Sequence, residues 1–82
     1  MTQPCHVLFF GITRDLVGEA RLLIDLPHEG RVTDLMALLI GRFPALGGVK
    51  SILVAVNSEY ADPNTVLRPS DEIALIPPVS GG

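Results

Sequence analysis

The sequence predicts an α+β domain: a mixed sheet of about five strands with one main helix packed across one face. Three observations carry that expectation. Two strand-type apolar stretches come first, CHVLFFG at 5–11 and ARLLIDL at 20–26. A single helix-period segment follows, TDLMALLIGRF over 33–43. The chain then returns to strand-type runs at 52–57 and 72–76, separated by proline, asparagine and aspartate turns. Eighty-two residues with 48% apolar content suit one small packed domain.

The first stretch is apolar on both faces, with Val7 and Phe9 on one side and Leu8 and Phe10 on the other. A strand of that kind is central in its sheet or has its outer face covered. Thr13 is expected to cap a short helical turn through Arg14, Asp15, Leu16 and Val17, stopped by Gly18. In the second stretch Leu22, Ile24 and Leu26 alternate with Arg21 and Asp25, the pattern of a half-buried strand. Pro27-His28-Glu29-Gly30 breaks it.

In the helical segment Thr33 is the expected N-cap, and Asp34 stands where the helix dipole favours an acid. Met36, Leu39, Ile40 and Phe43 recur at i, i+3, i+4 and i+7, a single apolar face that Leu35 widens. Pro44 ends the helix. ILVAVN is expected as a buried strand, Glu59-Tyr60 as a short edge piece and EIALI as the last strand. There, alternation places Ile73 and Leu75 toward the helix and Glu72, Ala74 and Ile76 outward. Ile76 and Phe10 then share an apolar outer patch, the kind of surface that marks a partner. Strand, strand, helix, strand, short strand, strand is the β-grasp, ubiquitin-like arrangement.

Several function classes lose support on composition. The net charge is −3, and the six basic residues are dispersed, without the basic cluster of a nucleic-acid binder. Cys5 is the single cysteine, so no intrachain disulfide forms, and it reads as a small core residue. His6 and His28 are isolated from any metal-site spacing, and the carboxylates form no acid–base pair. No metal site is expected. No run reaches the roughly 20 apolar residues of a membrane span, and the N-terminus lacks a basic leader, so the cytoplasm is the expected location.

The tail, IPPVSGG, is where chemistry concentrates. The expected organisation is a domain over 1–76 and a flexible C-terminal tail over 77–82 ending in Gly-Gly. Pro77 and Pro78 favour an extended backbone, and at about 3.3 Å per residue the tail reaches roughly 20 Å from Ile76. Val79 and Ser80 offer a pocket something to grip. Gly81 and Gly82 are thin enough for a tunnel too narrow for a Cβ. Such a tail can deliver its own carboxylate into another protein's active site. That carboxylate, with a pKa near 3.5, is an anion and a poor acyl donor until it is adenylated. A sulfur nucleophile could then leave a thiocarboxylate, or a lysine an isopeptide.

VLFFGITRDLVG, LLIDLP, VTDLMALLIGRFP, AVNSEY and DEIALIPPVSGG together resemble the small subunits of molybdopterin synthase, the MoaD-like sulfur carriers. The resemblance spans essentially the whole chain and is most specific in the double proline and the AVN strand. It implies that an E1-like, ATP-using partner adenylates Gly82 and that a sulfur donor protein supplies the sulfur of a thiocarboxylate. The tail then enters the large synthase subunit, where two deliveries convert cyclic pyranopterin monophosphate to the dithiolene of molybdopterin. It further implies a heterotetramer with the large subunit and no cofactor bound by the small one. By position, Phe10, Arg14, Tyr60 and Ile76 match residues that face partners, Arg14 and Tyr60 on the resemblance alone. Ser70 stands where the family commonly has glycine, which predicts a tighter turn, and Leu75-Ile76 replaces aromatic residues of some members. Competing readings are a carrier for thiamine or another thiolated product, a ubiquitin-like modifier conjugated through Gly82, and a plain binding module.

Overall fold

The computed structural model describes residues 2–49 and 51–77. Five strands form one sheet: β1 (Thr2–Phe9), β2 (Arg21–Pro27), β3 (Leu53–Val56), β4 (Glu59–Tyr60) and β5 (Glu72–Ile76). The helices are α1 (Gly11–Val17) and α2 (Val32–Arg42), the latter followed by a short 3-10 turn over Pro44–Gly48. The spatial order is β2-β1-β5-β3-β4. β1 runs antiparallel to β2 and parallel to β5, which in turn pairs antiparallel with β3. This is the mixed sheet of a β-grasp domain, with α2 across one face. The last strand therefore ends in the middle of the sheet, between two neighbours.

The core lies between the sheet and α2. Cys5, Val7 and Phe9 from β1, Ile24 and Leu26 from β2, Val54 from β3, and Ile73 and Leu75 from β5 meet Val32, Leu35 and Leu39 of α2. Leu46 and Leu67 close its ends. The inward residues of β1 and β5 follow the expected alternation, and β5 buries Ile73 and Leu75 completely.

Helix α2 starts two residues earlier than its capping signals predict. Arg31, not Thr33, is the N-cap residue, and Asp34 at the third helical position accepts a hydrogen bond from the Arg31 N–H at 2.8 Å. An acid at that position satisfies one of the amides left over at a helix start, and it favours the dipole as well. The buried stripe is Val32, Leu35 and Leu39, flanked by half-buried Met36 and Phe43. Ile40 lies outside it, 38% exposed over the turn at Gly47.

β1 also differs from its expected range, beginning at Thr2 and ending at Phe9. Phe10 leaves the strand to become the N-cap of α1, and Thr13 sits inside that helix instead of capping it. Gly18 stops α1 in the left-handed region at φ 84°, as expected of a helix-ending glycine. Between β3 and β4, Asn57 and Ser58 carry φ of 52° and 70°, the two-residue hairpin turn in which both residues are left-handed. Asn57 also ties down the start of β5. Its side-chain amide donates to Asp71 at 2.9 Å, and its carbonyl oxygen Oδ1 accepts from the Glu72 N–H at 3.0 Å. The AVN segment is thus a joint between two strands. Ser70 is not among the residues with positive φ.

Candidate functional site

The face of the sheet opposite α2 is built by register. Leu8 of β1 lies beside Ala74 of β5, Ala74 beside Ala55 of β3, and Ala55 beside Tyr60 of β4. Next to that row, Ile76 lies beside Leu53. Alternation along β5 turns Ala74 and Ile76 away from the buried Ile73 and Leu75. An apolar surface therefore runs across the sheet toward the root of the tail. Tyr60 is 73% exposed and Leu53 47%, while Ile76 is half-buried among its neighbours. The small side chains of Ala55 and Ala74 keep the centre of this surface flat.

Phe10 reaches the surface by a different route from the one its position in a strand would give. It is held at the β1–α1 junction by a set of short contacts. The Thr13 hydroxyl donates to the Phe10 carbonyl at 2.6 Å and accepts from the Phe10 N–H at 3.1 Å. That N–H also points at the Leu75 carbonyl, 3.3 Å away. Thr13 is fully buried, and its hydroxyl bonds satisfy what would otherwise be a polar group without water. This leaves the Phe10 ring 49% exposed, with Ile12 of the next turn 50% exposed.

The first tail residue passes directly over this junction. A Cβ on Gly11 would stand 2.9 Å from Cγ of Pro77, and Gly11 has φ 56°. Only glycine meets both demands without strain, so the sequence provides one where β5 gives way to the tail. Pro77 is half-buried. Pro78, Val79, Ser80, Gly81 and Gly82 lie outside the described residues.

Of the residues expected at a partner surface, Tyr60 and Ile76 lie on the sheet face opposite α2, and Phe10 is exposed at the β1–α1 junction, next to the Gly11 over which Pro77 passes. Arg14 is exposed on α1, where it belongs to the last turn. Leu53 and Leu8 join the apolar surface and were not singled out as partner-facing from the sequence. The signal for Leu53 is its register opposite Ile76, which sequence periodicity alone does not give.

Among the described residues, no group of three or more His, Cys, Asp or Glu is placed to hold a metal ion. Burial, aided by the charges of Asp71 and Asp25, pushes the Cys5 thiol above its ordinary value, away from the thiolate a nucleophile needs. His28 and Glu29 approach to 4.0 Å with both side chains well exposed, a weak surface pair. No helix of the described residues is long and apolar enough to cross a membrane.

Residues 7–82 match the ThiS family. The molybdopterin synthase sulfur carrier subunit of Drosophila erecta is 40% identical over 80 residues, covering 94% of this chain and 89% of that protein. Among solved structures, the small archaeal modifier protein 1 of H. volcanii superposes with a TM-score of 0.84 at 27% identity, covering 94% of this chain and 99% of its own. A chain from the complex of subunits 1 and 2 of the molybdopterin-converting factor of Helicobacter pylori gives 0.70 at 28% identity, covering 98% and 100%. A family match that begins in β1 and runs through Gly82, on a sheet of this order, leaves one assignment: the chain belongs to the ThiS family of sulfur carriers, with the ubiquitin-like β-grasp fold.

Proposed function

We propose that this chain is the sulfur-carrying small subunit of a molybdopterin synthase, contributing an acyl group and no catalytic side chains. The observation that supports this most is the pairing of a family match that includes Gly82 with an apolar sheet face at the tail's root. In this reading the carboxylate of Gly82 is first adenylated by an E1-like enzyme that uses ATP. A persulfide on a donor protein attacks the activated carbonyl and AMP leaves; a second thiol then cleaves the acyl disulfide, forming a disulfide and freeing the thiocarboxylate. Pro77, Pro78, Val79, Ser80 and Gly81 then carry that sulfur into the large subunit, while Phe10, Tyr60, Ile76 and Arg14 dock on its surface. Sulfur passes to cyclic pyranopterin monophosphate, and water supplies the oxygen that restores the carboxylate. A second carrier repeats the delivery to complete the molybdopterin dithiolene. The large and small subunits form a heterotetramer, and the cycle runs in the cytoplasm.

The likeness to the small archaeal modifier protein favours a second reading, conjugation of Gly82 to lysines of other proteins. Intact-mass spectrometry of the protein from its native cell separates the two. The carrier reading predicts a mass gain equal to one oxygen exchanged for sulfur, located at Gly82 and lost when Gly82 is deleted. Gly82-linked isopeptides without that gain would put the modifier reading first. An unmodified terminus, with molybdopterin synthesis unaffected by deleting Gly82, would sink both.

A further inference from the structure

β2 is one edge of the sheet, and its outer side pairs with nothing among the described residues. The hydrogen-bond phase of its pairing with β1 fixes which residues face that open edge. The Phe9 N–H donates to the Ala20 carbonyl, so 9 and 20 are opposed as a hydrogen-bonded pair. In an antiparallel ladder such pairs alternate with non-bonded ones, so 7 with 22 and 5 with 24 are bonded as well. Arg21, Leu23 and Asp25 therefore turn their own N–H and C=O groups outward. The non-bonded position of Pro4, opposite Asp25, fits the same phase, because proline has no N–H to give.

The side chains at this edge are equally ordered. Ile24 and Leu26 are buried, and Arg21, Leu23 and Asp25 are exposed together on the outer face, Leu23 by 56%. Exposed edges are commonly blunted by charged side chains, which repel a second copy when like charges fall opposite each other. Here the two charges are opposite and placed symmetrically about Leu23, and neither forms a salt bridge among the described residues.

We propose that β2 pairs with β2 of a second copy of this chain, antiparallel and centred on Leu23. In that register Leu23 opposes Leu23, Arg21 opposes Asp25, and Asp25 opposes Arg21. All of these pairs are hydrogen-bonded ones, so every outward N–H and C=O at the three positions finds a partner. Both cross-strand charge pairs are attractive, and the inner positions set Leu22 against Ile24. No other register aligns both charge pairs and the hydrogen-bond phase. The contact stands apart from the sulfur-carrier reading. It leaves β5 and the root of the tail uncovered, because β1 lies between β2 and β5.

Sedimentation velocity of the full chain, up to about 1 mM at low ionic strength, reads the association directly. The parent chain is expected to dimerise with rising concentration. Arg21→Asp places acid against acid and Asp25→Arg places base against base, so each variant alone should associate at least about tenfold more weakly. An equimolar mixture of the two variants should recover the dimer as a heterodimer, which also shows that both are folded. A parent chain that stays monomeric at about 1 mM overturns the proposal. So do single variants that dimerise as well as the parent, or a mixture that stays monomeric.

Discussion

Ile76 and Thr13 act on the same junction from opposite sides of the sheet's end. Ile76 lies beside Leu53 on the outer face, whereas Thr13 is buried and holds Phe10 in place by a 2.6 Å hydrogen bond to its carbonyl. The two positions should respond differently to substitution. Ile76→Asp puts a charge into the proposed docking surface at the root of the tail, beside apolar side chains that a partner would seal from water. Affinity for the large subunit, measured by calorimetry, should fall at least about 100-fold, the loss expected of an interface anchor. The domain itself should keep its fold, with about 1 kcal/mol or less lost in urea unfolding, because Ile76 packs only on the open face. A variant that unfolds instead would place Ile76 in the core. Ile76's outward position was legible from alternation in EIALI, since period-two patterning survives when one face is buried. Phe10 was placed outward as the continuation of a strand, yet it is the cap of α1. Strand alternation carries no information about a chain that turns into a helix, and the hydrogen bonds of Thr13 only become visible in three dimensions.

At the level of elements, α2 shows how a correct period can carry a shifted phase. The spacing of Met36, Leu39, Ile40 and Phe43 marks a helix, but the stripe facing the sheet is Val32, Leu35 and Leu39. Both stripes are apolar, and a helix this rich in leucine and isoleucine satisfies several phases equally well. The choice falls to tertiary packing, where Leu35 and Leu39 meet strand residues and Ile40 is left over the following turn. Truncations measure that choice. Leu39→Ala should cost about 2–5 kcal/mol in chemical unfolding, and Ile40→Ala less than about 1 kcal/mol. Equal losses at both positions would contradict the observed face. The shift of the N-cap from Thr33 to Arg31 has a related cause. Asp34 caps from inside the helix by accepting the Arg31 N–H, so an apparent capping threonine is not required. The AVN segment was recognisable as a signature, while its role was not: Asn57 occupies a left-handed turn and binds the residues that open β5.

Across the whole molecule, topology fixes where the last strand ends. β5 sits between β1 and β3, anchored on both sides by ladders, and its end is braced by Thr13 and by the Gly11–Pro77 contact. A strand end fixed in this way gives the tail a defined point of departure beside an apolar surface. The order of strands was inferable only as a class, because pairing of β1 with β5 joins residues more than sixty positions apart. The reading of the tail rests on the sequence alone, where proline and glycine state their backbone roles without a fold around them, and residues 78–82 lie outside the described residues. The tail's destination follows from the proposed function, and a transfer assay examines that link. Thiocarboxylated chain, purified large subunit and cyclic pyranopterin monophosphate are combined, and molybdopterin is measured alongside the mass of the chain. Product should appear as the thiocarboxylate reverts to carboxylate, and it should be abolished by deleting Gly82. A large subunit that binds the thiocarboxylated chain and its substrate, yet yields no molybdopterin and leaves the sulfur on Gly82, would contradict the account.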